Sequence, residues 1–121
     1  MSGKEIQALV DRIEAASHAD LPLGLAVLEG LAASGHAAGA TAGVIDSADA
    51  ALRLVASELP GWSVSLSGAL RLPDSQWTCT LRESGARDDD EVIGVARAPT
   101  AALALIGALL RVFAIRQKGY R

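Results

Sequence analysis

The densest group of side chains that could do chemistry is a run of four carboxylates, Asp88, Asp89, Asp90 and Glu91. Metal-dependent hydrolases and nucleases gather carboxylates around Mg²⁺ or Mn²⁺, which then activates water. Such sites draw their ligands from separate rigid elements, whereas neighbours in one loop point apart and repel each other. We therefore interpret the run as a solvated loop and keep a small metal-dependent hydrolase or nuclease as an alternative function.

Three other side chains could bind a metal or attack a substrate, namely His18, His36 and Cys79. The histidines have no Cys or carboxylate at the spacing of a zinc site, and Cys79 lies on the apolar side of a predicted strand. No glycine-rich phosphate loop joins a strand to a helix. We assign no catalytic, cofactor-binding or metal-ligating residue and predict a protein that is not an enzyme and binds no cofactor.

Length and charge narrow the class of protein. The 121 residues match one ordinary domain, and the net charge of −3 argues against a dedicated nucleic-acid binder, which normally presents a basic surface. A single cysteine excludes an internal disulfide framework. The first residues lead into an amphipathic segment rather than an apolar signal sequence, which predicts a cytoplasmic protein.

The element that must organise the fold is a helix predicted over residues 100–117. Residues 101–110 are an unbroken apolar run, Thr100 can cap the helix, and Gly119 can end it. The run is about half as long as a membrane span, and Arg111 interrupts it. We therefore predict that this helix is buried in the core, and we expect no contact with a membrane.

The N-terminal residues 1–34 predict a helical hairpin. Its first helix covers residues 4–16, and Asp20 caps the second, which extends to about residue 34. The expected apolar stripes are Ile6, Leu9, Val10 and Ile13 on the first helix, and Leu21, Leu25, Leu28 and Leu31 on the second. Residues 35–45 contain three glycines and few large side chains, so we interpret them as a linker before a core of residues 46–121.

The core pattern predicts a helix over residues 46–59 that Asp46 or Ser47 caps, strands over 62–67, 77–82 and 91–97, and then the last helix. This α-β-β-β-α order gives an α+β fold with a three-stranded antiparallel sheet. The first two strands alternate hydroxyl and apolar residues, so both helices should pack on the apolar face and leave a Ser/Thr-rich face open. Gly94 and Gly107 mark positions where backbones could approach closely. The predicted core comprises Trp62, Val64, Leu66, Trp77, Cys79 and Leu81 from the sheet, with Leu52, Val55, Leu103, Ile106, Leu110 and Phe113 from the helices.

Residues 46–115 resemble the phage ABA sandwich domain, a family of small phage and prophage proteins of unknown function. The matching segments are the helix at residues 48–55, the corner at residues 59–62, and the entry into the last helix at residues 94–105. The resemblance implies a phage-derived α/β sandwich and carries no catalytic residues. The strands hold serine at several positions where the family has tryptophan.

These patterns favour a phage or prophage accessory protein that acts through protein–protein contacts. The contacts would be made with a protein partner or a second copy, through the N-terminal helices or the Ser/Thr-rich sheet face. A double-stranded RNA-binding module is a further alternative because it shares the element order. Its basic contacts at the start of the last helix are missing here, where only Arg97 is near. No small-molecule substrate is indicated.

Overall fold

A computed structural model gives the described part of the chain four α-helices and one three-stranded antiparallel sheet. The described residues are 3–16, 18–33, 41–69, 76–83 and 93–117. In chain order the elements are α1 (Gly3–Ala15), α2 (Leu21–Ala33), a 3₁₀ turn (Ala42–Asp46), α3 (Ala48–Glu58), β1 (Ser63–Ala69), β2 (Gln76–Arg82), β3 (Ile93–Ala98) and α4 (Ala101–Gln117). The predicted α+β fold, with helices packed on an antiparallel sheet, is confirmed.

Helix α4 lies at the centre of the molecule. Strands β2 and β3 pack against it, and α1 and α3 cover other sides. The side chains from Ala102 to Leu110 are all buried, because an unbroken apolar run leaves the helix no face for water. Within the described residues, no helix is both long enough and apolar enough to cross a membrane.

Three of the helices begin at predicted capping residues. The backbone N–H of Leu23 donates to Asp20 Oδ1 at 2.9 Å, that of Ala50 to Ser47 Oγ at 3.1 Å, and that of Leu103 to Thr100 Oγ1 at 3.1 Å. Each side chain satisfies a backbone donor that the first helical turn leaves free. The starts of α2, α3 and α4 are therefore set locally by the sequence.

Strand β3 and helix α4 approach each other closely where both carry small residues. A Cβ atom on Gly94 would lie 2.6 Å from the carbonyl oxygen of Ala108 and from Cγ2 of Val112. A Cβ on Gly107 would lie 2.9 Å from the Cβ of Ala96. These distances are too short for real contacts, so the expected close approach at Gly94 and Gly107 is confirmed.

The apolar stripe of α1 is covered within the same chain. Ile6, Leu9, Val10 and Ile13 are buried, and α1 packs against α4. One hydrophobic cluster includes α1, α2, the 3₁₀ turn, α3, the sheet and α4. The predicted division into residues 1–34, 35–45 and 46–121 stays a prediction, and the packing of α1 on α4 runs across it.

The predicted linker of residues 35–45 lies partly outside the described residues, which stop at 33 and resume at 41. The last residues of the predicted linker are structured, because Ala42–Asp46 form the 3₁₀ turn and the side chains of Val44 and Ile45 are buried. Two branched apolar side chains hold the chain to the core just before α3. The turn packs against α2, α3 and α4.

The predicted stripe of α2 is wrong at two positions. Leu21 and Leu25 are 68% and 52% exposed, while Leu23, Val27 and Leu31 are buried. Nearly every residue of α2 is apolar, so the pattern of hydrophobic residues does not define a face. The buried face of α2 is instead formed by Leu23, Val27 and Leu31, which lie four residues apart.

Candidate interaction surface

Strand β1 is exposed along all seven of its residues and lies at one edge of the sheet. Its side chains on the helix-covered face, Val64 and Leu66, remain 40% and 38% exposed. The prediction that α3 and α4 cover them is wrong, because α4 packs over β2 and β3 and α3 packs against α4. Leu52 of α3, also predicted in the core, is 45% exposed.

The rest of the predicted core is buried or half-buried. Cys79 and Leu81 are buried beneath α4, while Trp62 and Trp77 are only partly covered. Trp77 lies across the register from Gly68, and a Cβ atom on Gly68 would come within 2.6 Å of the Trp77 ring. The ring therefore extends from β2 towards the open strand. The remaining buried members are Val55, Leu103, Ile106, Leu110 and Phe113.

At the opposite edge of the sheet, α1 packs beside strand β3. Glu14 Oε2 accepts a hydrogen bond from the backbone N–H of Arg97 in β3 at 3.1 Å. Glu14 Oε1 accepts one from Arg111 Nη2 in α4 at 3.3 Å. One carboxylate thus joins α1, β3 and α4. Among the described residues, α1 packs beside the β3 edge and no element pairs with the β1 edge, which is called the open edge below.

The outer face of the sheet carries most of the hydroxyl groups. The strand register forms three rows across it, which are Ser63–Arg82–Ile93, Ser65–Thr80–Val95 and Ser67–Thr78–Arg97. The three serines are exposed and both threonines are half-buried. Ile93 and Val95 are 36% and 38% exposed, so two branched apolar side chains stand beside the hydroxyl groups. The sequence pattern of β3 does not indicate this orientation, because its inward residues are Gly94 and two alanines.

The side chains that could do chemistry do not come together in the described part of the chain. His18 is exposed, and its Nε2 lies 4.0 Å from Asp20 Oδ2. Cys79 is fully buried, and this burial raises the pKa of its thiol from 9.0 to about 11. Among the described residues no group of three His, Cys, Asp or Glu side chains could hold a metal ion. His36 and the carboxylates of residues 88–91 lie outside the described residues.

The start of α4, where a double-stranded RNA-binding module would present basic residues, lies against other elements. Ala102 and Leu103 are buried. The first turn shares a shallow cleft with Ile45, Asp46 and Ala48. An acidic and apolar surrounding is unsuited to a phosphate backbone.

Neither a protein-family model, nor a curated protein, nor a solved structure matches this chain. Among the surfaces of the described residues, strand β1 is the one that differs most from an ordinary edge strand. Sequence reasoning missed it, although a signal was present. The segment Ser63–Ala69 contains no charged residue and no proline, which are the usual means of protecting an edge strand.

Proposed function

We propose that this chain is a non-enzymatic, phage- or prophage-derived accessory protein that acts through protein–protein contacts made by its sheet. The observation that supports this most directly is the exposure of β1 along its whole length. An uncovered edge strand offers a row of backbone donors and acceptors to another chain. The phage origin and a cytoplasmic location belong to the same proposal and rest on the sequence patterns alone.

The contrast between the two edges of the sheet supports a binding role for β1. At the β3 edge, α1 packs beside the strand and Glu14 accepts the backbone N–H of Arg97. Strand β1 has no charged residue or proline that would protect its edge from pairing with another strand. More than a third of the surface of Val64 and of Leu66 is exposed to solvent. Exposed apolar side chains on an unprotected strand are typical of an interaction site.

The packing of α1 also helps to choose between the two surfaces expected from the sequence. The α1 stripe of Ile6, Leu9, Val10 and Ile13 is already buried against α4 and has no surface left for a partner. The sheet, by contrast, retains exposed apolar residues on both faces. We therefore propose that the protein contacts are made at the sheet rather than at α1. Helix α2 exposes Leu21 and Leu25, but it offers no unpaired strand edge.

An affinity purification with the full chain as bait tests this function. The decisive variant is Leu66→Lys, which places a charge on β1, and its matched control is Ser57→Lys on the exposed surface of α3. We expect the wild type and Ser57→Lys to bind the same protein, including untagged copies of the chain itself, and Leu66→Lys to lose it. Equal binding by all three baits, or no specific binding by any, contradicts the proposal.

A further inference from the structure

We propose that the occupant of the open edge is a second copy of this chain, whose β1 pairs antiparallel with the first around a two-fold axis at Leu66. The inference rests on the proposed function and names the partner for the same surface. The product is a continuous six-stranded sheet with the order β3-β2-β1-β1-β2-β3. Three properties of β1 support it, which are its free backbone groups, its alternation and its lack of charge.

The hydrogen bond at the far edge shows which backbone groups of β1 are free. Because the Arg97 N–H points away from β2 to Glu14, its register partner Thr78 directs its own N–H and C=O towards β1. Ser67 pairs with Thr78 and therefore uses its backbone groups within the sheet. These directions alternate along a strand, so Val64, Leu66 and Gly68 present their N–H and C=O groups at the open edge.

Pairing centred on Leu66 uses every one of these free groups. Leu66 meets Leu66 of the second copy, and Val64 meets Gly68, so three residue pairs exchange about six backbone hydrogen bonds. All seven residues of β1 then lie opposite a residue of the second copy. At each end of the paired strands, Ser63 of one copy lies opposite Ala69 of the other. A shift of the axis by one residue leaves fewer of the free groups paired.

The same register keeps each face of the sheet continuous. Even-numbered residues pair with even-numbered residues, so Val64 and Leu66 of both copies stay on the helix-covered face and the serines stay on the outer face. Val64 of the second copy would lie opposite Gly68, where it would meet the Trp77 ring that fills the space above Gly68. Side chains that are 40% and 38% exposed in one chain thereby gain apolar neighbours.

The absence of charge in β1 favours a second copy over a foreign partner. A two-fold axis brings each group close to its own copy, so any charged residue near the axis would repel itself. The sequence Ser-Val-Ser-Leu-Ser-Gly-Ala avoids this entirely. It also lacks the charge that would select an oppositely charged strand from another protein.

Solution mass and amide exchange of the wild-type full chain test the pairing without any substitution. Light scattering should give twice the chain mass of 12.4 kDa at high concentration and fall towards 12.4 kDa on dilution. Over the same range, amide exchange at Val64, Leu66 and Gly68 should slow at least tenfold in the dimer. Exchange at Ser65 and Ser67 should change little, because those amides already bond to β2.

Charge substitutions at the axis test the register. Leu66→Lys alone and Leu66→Asp alone should both be monomers, because each brings like charges together. An equimolar mixture should restore a heterodimer, and Ser57→Lys should dimerise as the wild type does. Folding of each variant is checked by circular dichroism.

The outcomes separate this inference from the proposed function. A wild-type chain that is monomeric at all concentrations, with a foreign protein lost from the Leu66→Lys bait, overturns self-pairing and leaves the proposed function standing. A monomer whose bait binds nothing overturns both. A dimer in which amide exchange at Leu66 is unchanged, or one that persists in folded Leu66→Lys, overturns the pairing at β1.

Discussion

The carboxylate of Glu14 lies 3.3 Å from the guanidinium of Arg111, a contact that joins residues 97 positions apart in the chain. Both side chains are about 30% exposed, so the pair is shielded from solvent only in part. The second oxygen of Glu14 accepts the backbone N–H of Arg97. One side chain therefore fixes where α1 lies relative to both β3 and α4.

We expect Glu14→Ala to lower the free energy of unfolding by about 1–2 kcal/mol, because it removes the acceptor for Arg97 and Arg111 together. Among the described residues nothing accepts from the buried Nε of Arg111, so Arg111→Met should cost less than Glu14→Ala. Urea unfolding of both single variants and the double variant measures the coupling, which we expect to be about 0.5–1 kcal/mol. Strictly additive effects would show that the two side chains do not interact.

Gly94→Ala should destabilise the protein by about 2–3 kcal/mol, since its Cβ would meet the backbone oxygen of Ala108, which cannot rotate away. Gly43→Ala is the matched control, because there the nearest atom is Thr41 Oγ1 at 3.7 Å, an ordinary contact. We expect the control to stay within about 0.5 kcal/mol of the wild type by chemical denaturation. If both substitutions have the same effect, β3 and α4 are not in close contact at Gly94.

Stability should fall at alkaline pH because of Cys79. Burial raises the pKa of its thiol from 9.0 to about 11, so the unfolded chain loses this proton before the folded one does. The folded state keeps its full advantage below pH 9 and loses of order 2 kcal/mol as the pH rises from about 9 to about 11. Comparing the unfolding free energy of the wild type and Cys79→Ala at pH 8 and pH 10.5 isolates this effect. A wild-type decrease no larger than that of Cys79→Ala would contradict it.

The two sides of α2 should respond differently to truncation. Val27→Ala removes a buried side chain, which should lower the unfolding free energy by about 1–3 kcal/mol. Leu25→Ala removes a larger side chain that is 52% exposed, and we expect a change below about 1 kcal/mol. Thermal unfolding of the two variants measures the difference. A larger loss from Leu25→Ala would restore the stripe expected from the sequence.

Local signals in the sequence predicted much of the fold. The caps at Asp20, Ser47 and Thr100 act on neighbouring backbone groups, so a few residues are enough to define them. The apolar run of α4 predicts burial whatever surrounds it, and Gly94 and Gly107 mark a close contact. The caps and the burial of α4 depend on chemistry within one element, and the two glycines marked a contact between two elements by their lack of a side chain.

The features that sequence reasoning missed depend on where whole elements lie. Val64 and Leu66 alternate with serine as buried residues do, but their burial depends on how far α4 extends across the sheet. In the same way, Glu14 has no signal for its contact with Arg97, 83 residues away. The exposure of β1 and the contact of α1 with β3 are both consequences of this placement.

Helix α4 is also the last described element to leave the ribosome. Four elements pack against α4, namely α1, α3, β2 and β3. During synthesis their apolar faces therefore stay exposed until α4 has emerged. Contacts between distant parts of a chain are slow to form, and such waiting intermediates are prone to aggregate. We therefore expect stable folding to begin only once α4 has emerged, with the apolar face of α1 exposed to other proteins until then.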